Sequence, residues 1–191
     1  MSTPTKRPGL LSEALATRVV VAHGAMGTML QAANPTLEDF QNHEGCNEIL
    51  NVSRPDIVRS VHNEYLAAGV DAIETSTFGA NWSNLADYGI EDRIYELAYA
   101  GGKIAREAAN SFSTAQKPRF VLGSLVPGTK LPSLGHTTYE NLKIAYYTAA
   151  KGLSDSGCDA LLVETSQDLL QVKAAVNGCR QAISETDRDI V

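Results

Sequence analysis

The chain is poor in the features that would commit it to several special environments. It has three cysteines in 191 residues, and Cys46, Cys158 and Cys179 are odd in number and widely spaced, so no disulfide framework is suggested. It has no excess of positive charge. A net charge of -6 gives no electrostatic reason to expect nucleic acid or an anionic membrane as partner. No apolar run is long enough to span a bilayer. The first residues, Met1 to Pro8, are polar and carry no apolar signal segment, so the expected location is the cytoplasm. No G-x-G-x-x-G turn supports a dinucleotide site. What remains is a globular composition, 43% apolar and 20% charged, sufficient for one ordinary core.

Against that background one pattern occurs twice. Gly69-Val70-Asp71-Ala72-Ile73-Glu74-Thr75 returns as Gly157-Cys158-Asp159-Ala160-Leu161-Leu162-Val163-Glu164-Thr165. Each copy follows an amphipathic helical stretch, turns on glycine, runs through a short apolar segment and stops at Glu-Thr. Glycine after a helix is a C-cap signal, because it takes the left-handed conformation cheaply. A short apolar run between turn signals reads as a strand buried on both faces. The pattern therefore places a carboxylate and a hydroxyl twice at the C-terminal end of a parallel strand, the edge where barrel enzymes keep their active sites.

The rest of the chain fits the same rhythm. Residues 1–17 read as a tail and lead-in. Arg18 to Ala22 is a β-branched run, the expected first strand, and opens into the two-glycine turn His23-Gly24-Ala25-Met26-Gly27-Thr28. Asn34 to Asn51 is polar and irregular, with a short helix expected near Thr36 to Gln41. Ser53 is the expected N-cap of a helix with Pro55 in its first turn and Gly69 at its end. Thr75 to Ile90 reads as a long loop. A helix follows over Glu91 to Asn110, and Gly101-Gly102 inside it predicts close packing on a neighbour. Arg119 to Ser124 is the expected third strand. Thr138 caps a helix closed by Gly157, Ala160 to Glu164 is the fourth strand, and Asp168 to about Ser184 is the next helix. Asp189 to Val191 begins another apolar run. Alternating strands and helices imply an α/β chain with a parallel sheet. The expectation is the first half of a (β/α)8 TIM-type barrel over residues 18–191, cut from a longer chain, since a complete barrel typically needs about 250 residues.

Four strand ends then converge on one face: the Gly24–Thr28 turn, Glu74-Thr75, Gly123-Ser124 and Glu164-Thr165. The glycine turn reads either as an anion-binding nest of backbone N–H groups or as a simple change of chain direction. The Glu-Thr ends read either as ligands or as caps of the following helices. Taken as a site, one nest and one carboxylate across a small pocket describe a binder of a zwitterion such as an amino acid. His23 reads as a loop residue rather than a catalytic base, and Phe78 and Trp82 read either as lining a pocket or as covering the barrel mouth. His43 and Cys46 are a weak metal signal, and all three cysteines read as structural.

Several ordered stretches resemble the homocysteine S-methyltransferase family. They are His23-Gly24-Ala25-Met26-Gly27-Thr28-Met29-Leu30-Gln31, Ser53 to Val58, Ala68 to Asn81, Asp87-Tyr88-Gly89 with Tyr95-Glu96-Leu97, and Gly157 to Thr165. The resemblance runs from about Val19 to Ala182 and is strongest to the homocysteine-binding modules of cobalamin-dependent methionine synthases. It implies a barrel that binds homocysteine and passes it a methyl group from methylcobalamin, ultimately from methyltetrahydrofolate. The methyl donors are carried on folate and cobalamin modules of the same parent chain. It also implies that backbone amides of Gly24, Ala25, Met26, Gly27 and Thr28 hold the substrate carboxylate and that Glu164 holds its ammonium. Glu74, Thr75 and Ser124 are expected to complete the pocket, the first two shaping its mouth. In the family, zinc activates the thiolate through three cysteines in the second half of the barrel, so zinc and cobalamin belong to the parent enzyme. None is expected on these 191 residues, which are expected to be inactive alone. Alternatives are a betaine- or S-methylmethionine-dependent homocysteine methyltransferase, or a non-catalytic half-barrel that self-associates through its open sheet edge. His23 departs from the family's aspartate.

Overall fold

The computed structural model describes residues 10–23 and 25–191. Gly24 and the first nine residues of the expected tail lie outside the described residues. Helices α1 (Leu10–Thr17), α2 (Gly27–Ala32), α3 (Leu50–Ser53) and α4 (Pro55–Ala68) precede strand β1 (Ala72–Glu74). Then come α5 (Trp82–Ala86), α6 (Ile94–Phe112), β2 (Phe120–Leu125), α7 (Tyr139–Ser156), β3 (Ala160–Val163) and α8 (Leu169–Ser184). The strands are all parallel, in the order β1-β2-β3, with Ala72 opposite Phe120 and Leu122 opposite Ala160.

Local chemistry sets most boundaries. Pro55 occupies the first position of α4, where its missing N–H is harmless. Gly69 and Gly157 end α4 and α7 at φ 106° and 109°, which a residue with a Cβ adopts only at a cost. Thr138 accepts from the Asn141 N–H, and Asp168 from those of Leu170 and Gln171, so both helices begin on a side-chain cap. Gly102 lies where α6 meets the end of α7, and a Cβ there would stand 2.0 Å from Ser156 Oγ. The close packing expected of Gly101-Gly102 is thus present.

Five features differ from the sequence reading. The run Arg18 to Ala22 pairs in parallel with β1, but only through one bridge, Ala22 to Ala72, so the sheet has three strands among the described residues. Val19 and Val21 are exposed, and β-branched residues extend a strand only where a face or a second edge is covered. Ser53 is not a cap: it sits in the last turn of α3 and donates its hydroxyl to Ile49 O and Asp39 O, while Arg54 takes the N-cap place. Thr36 to Gln41 forms turns rather than a helix, because Gln41 and Asn42 both adopt positive φ. The 75–90 segment is not all loop; Asn81 caps the short α5 with its side chain. Leu10–Thr17, read as lead-in, is helical and buries Leu11 and Ala14 against Ala72, Phe120 and Ala160.

The doubled Gly-x-Asp-Ala pattern has one structural job in both copies. Asp71 Oδ2 accepts from the Val21 N–H at 3.0 Å and pairs with Arg18. Asp159 Oδ2 accepts from the Val121 N–H at 2.8 Å and pairs with Arg106 at 2.7 Å. Each aspartate therefore satisfies an N–H of the preceding strand just before its own strand begins. At the other side of β3, Val191 donates to Asp159 O and accepts from Leu161 N, so the last apolar run starts to pair.

Candidate functional site

A cavity of about 490 Å³ lies at the C-terminal ends of the strands. Its wall includes Ala25, Met26 and Gly27 from the first turn, Glu74 and Thr75 from the end of β1, and Ser124 from β2. The strand ends are locked together. Thr75 Oγ1 accepts from the Ser124 N–H at 3.0 Å, and Thr77 Oγ1 donates to Ser124 O at 2.8 Å. Thr75 Oγ1 and Thr77 Oγ1 are 2.6 Å apart. Glu164 is reached through Ser124, whose Oγ donates to Glu164 Oε1 at 2.6 Å, a charge-assisted bond. Glu164 follows β3 directly, and Thr165 after it takes the left-handed conformation at φ 52°.

The candidate residues thus divide. Ala25, Met26, Gly27, Glu74, Thr75 and Ser124 meet on one wall. Glu164 stands beside that wall on the far side of Ser124, and Thr28 is exposed in the first turn of α2. Gly24 lies outside the described residues. His23 is buried rather than a plain loop residue: its Nε2 accepts the Glu74 N–H at 3.1 Å, and its ring stacks on Tyr65. Phe78 lines the cavity and is 53% exposed, while Trp82 packs on the core.

Among the wall residues that were not anticipated are Cys46 and Glu48. Both are buried on the cavity side of a short 3-10 turn, Asn47–Ile49. Glu48 Oε1 accepts the Gly79 N–H at 2.6 Å and so holds the segment that carries Phe78. Burial pushes the Glu48 carboxyl up in spite of that bond. Burial, with the Glu48 charge nearby, pushes the Cys46 thiol up to about 11, which makes it an inert thiol. The available signal was a carboxylate flanked by Cys46 and the apolar pair Ile49-Leu50 inside an otherwise polar stretch.

The donor set for a zinc ion is a separate matter. Cys158 is buried beside Ser156 and Gly102, and Cys179 is buried in α8; neither lines the cavity, whereas Cys46 does. Among the described residues no three His, Cys, Asp or Glu are grouped so that they could hold a metal ion. The residues present do not fit the family's zinc site. The wall does carry an electrostatic imbalance: Glu48, Glu74 and Asp87 line it, and among the described residues no lysine or arginine does. A ligand that brings a positive charge would relieve it.

The homocysteine S-methyltransferase family model matches residues 20–189. A methionine synthase of Mycobacterium tuberculosis is 55% identical over 180 residues, covering 94% of this chain and 15% of that protein. The methionine synthase of Mycobacterium leprae is 54% identical over the same length. This chain therefore spans about 15% of the length of those relatives. In fold it is similar to the homocysteine methyltransferase MmuM of Escherichia coli in its metallated form. That match has a TM-score of 0.71 at 21% identity, over 93% of this chain and 64% of that one.

Proposed function

We propose that this chain, which belongs to the homocysteine S-methyltransferase family, holds homocysteine as a zwitterion in the cavity at its strand ends. The observation that carries the reading is the wall itself: Ala25, Met26 and Gly27 of the first turn line it together with Glu74 and Ser124, and among the described residues no lysine or arginine does. The first-turn backbone takes the substrate carboxylate together with Gly24 and Thr28. Glu164, oriented by Ser124, takes the ammonium. Cys46 and Phe78 leave an apolar space for the side chain of the substrate.

The parent activity is proposed to be that of a methionine synthase, with methyl passing from methylcobalamin to homocysteine and ultimately drawn from methyltetrahydrofolate. The 55% identity to a methionine synthase supports this choice over a betaine or S-methylmethionine donor. The sheet is proposed to be one half of a TIM-type barrel. Zinc and the cobalamin and folate modules are assigned to other parts of the parent, because the residues here do not fit the metal. On this reading the 191-residue chain binds homocysteine without turning it over.

Calorimetric titration tests the zwitterion pocket. L-homocysteine should bind and N-acetyl-L-homocysteine, which lacks the ammonium, should bind at least about tenfold more weakly, a difference of roughly 1.4 kcal/mol. Equal affinity for the two ligands would remove the role given to Glu164. A second reading, self-association through the open sheet edge, is favoured by Val19 and Val21, exposed at 82% and 54%. Concentration-dependent light scattering separates it from a monomeric binding unit.

A further inference from the structure

The 3-10 turn Asn47–Ile49 runs straight into α3, so Glu48 and Asn51 stand one turn apart on neighbouring positions of the same surface. Their footing is fixed, because Ile49 and Leu50 between them are fully buried and belong to two different core clusters. From that footing the two side chains reach one segment of the cavity wall. Asn51 Nδ2 donates to Ser76 O at 2.7 Å and to Leu97 O at 3.3 Å. Glu48 Oε1 accepts the Gly79 N–H at 2.6 Å. Both contacts are close enough to exclude a side chain beside them. A Cβ at Gly79 would stand 2.7 Å from Glu48 Oε2, and one at Gly101 in α6 would stand 2.8 Å from Asn51 Nδ2 and from Thr77 Cγ2.

The segment between these two points is also held from the sheet side. Thr77 Oγ1 donates to Ser124 O at 2.8 Å, and the Ala80 N–H closes a turn on Thr77 O at 3.0 Å. Residues 75–77, 79 and 80 are buried, whereas Phe78 among them is 53% exposed and lines the cavity. The hydrogen bonds of the bend thus fix the place of an aromatic ring that the described residues leave half open.

We propose that Glu48 is a positioning residue: with Asn51 holding the other end of the 76–79 bend, it sets the Phe78 ring at the cavity opening, where the ring selects ligands by the apolar part of their side chain. The proposal rests on the homocysteine-binding reading and deepens it. Ammonium and carboxylate are common to every amino acid, so the groups that hold them cannot tell one from another. The ring can, because it favours a side chain that carries a methylene and a sulfur beyond Cβ, and sulfur–aromatic contacts are favourable in their own right. The preference depends on where the ring stands, since dispersion contacts weaken over a gap of about 0.5–1 Å.

Two measurements on the full 191-residue chain test it. Amide hydrogen exchange followed by NMR should find the Gly79 N–H protected in the unaltered chain. Glu48→Gln keeps an oxygen acceptor and should keep that protection. Glu48→Met removes the acceptor and should speed Gly79 exchange at least about tenfold, with the β2 amides unchanged. Calorimetric titration should show L-homocysteine bound at least about tenfold more tightly than L-alanine, which has the same charged groups and only a methyl side chain. In Glu48→Met, and in Phe78→Ala at its exposed position, that preference should fall to within about threefold while L-alanine affinity is kept. Glu48→Gln should retain it. An unprotected Gly79 N–H or equal binding of the two ligands in the unaltered chain overturns the proposal alone. So does an unchanged preference in Glu48→Met or Phe78→Ala, or a parallel loss of both ligands in Glu48→Met, which would mark Glu48 as merely structural. If Glu48→Met does not fold, Gly79 protection in the unaltered chain and the preference of Phe78→Ala decide. Absence of binding of either ligand by the unaltered chain overturns the homocysteine reading, and the proposal with it.

Discussion

Gly102→Ala should destabilise the fold even though it replaces a glycine in the middle of a long helix. Helix propensity alone favours alanine by about 0.8–1.0 kcal/mol. Against this, the added Cβ would stand 2.0 Å from Ser156 Oγ, 2.8 Å from Ser156 Cβ and 3.4 Å from Cys158 Sγ. Rotating the hydroxyl away relieves the first contact but breaks its 2.7 Å bond to Leu153 O, at roughly 1 kcal/mol. The Cβ–Cβ contact cannot rotate away, so α6 and α7 must separate, and overpacking of this kind costs about 1–3 kcal/mol. The net expectation is a loss of about 1–3 kcal/mol. Urea unfolding monitored by circular dichroism measures it, read as a lower midpoint at an unchanged m-value. The Ser156→Gly background removes both opposing atoms, and there Gly102→Ala should be neutral or stabilising by up to about 1 kcal/mol. If Gly102→Ala alone stabilises the protein by the full propensity value, the helices are not in contact at this point.

Two further substitutions probe the two ends of the strands. Ser124→Ala removes the hydroxyl bound to Glu164 and should weaken L-homocysteine binding about tenfold, with stability little altered; unchanged affinity by calorimetry would show that Glu164 needs no orienting partner. Asp159→Asn breaks the pair with Arg106, whose side chain is 11% exposed, and should lower unfolding stability by about 2 kcal/mol or more while homocysteine affinity of the folded protein is kept; a variant as stable as the parent would refute the bracing role.

Much of the architecture is visible in the sequence because the signals are local. Thr138, Gly69, Gly157 and Asp168 act at the ends of their own helices, and each does what its type suggests. The first strand was less legible, since whether Arg18 to Ala22 forms a ladder depends on what covers Val19 and Val21, which the run does not contain. Ser53 was misleading for a related reason. A serine before Asp and Pro reads as a cap, but here α3 already runs through it and its hydroxyl is bound to carbonyls behind it. In the cavity, the strand-end residues Glu74, Thr75 and Ser124 were legible from strand termini. Glu48 was not, because its partner is a backbone N–H at Gly79, and no spacing rule links the two.

The doubled motif shows how one strand serves two ends of a sheet. At its start, Asp71 and Asp159 do the same thing, and they must, because each parallel strand leaves the N–H of a neighbour to be satisfied where the chain enters the sheet. At its finish the copies part. Glu74 lies on the cavity wall, which no lysine or arginine lines among the described residues, while Glu164 is bound by Ser124 from the strand between them. The asymmetry follows from position in the sheet rather than from the residues themselves. The β2 strand lies between the copies, so its Ser124 hydroxyl can satisfy only one of two equivalent carboxylates, and it is committed to Glu164. A repeat that is strict at the bottom of the sheet and unequal at the top therefore separates the residues that hold the strands together from those available to hold a substrate.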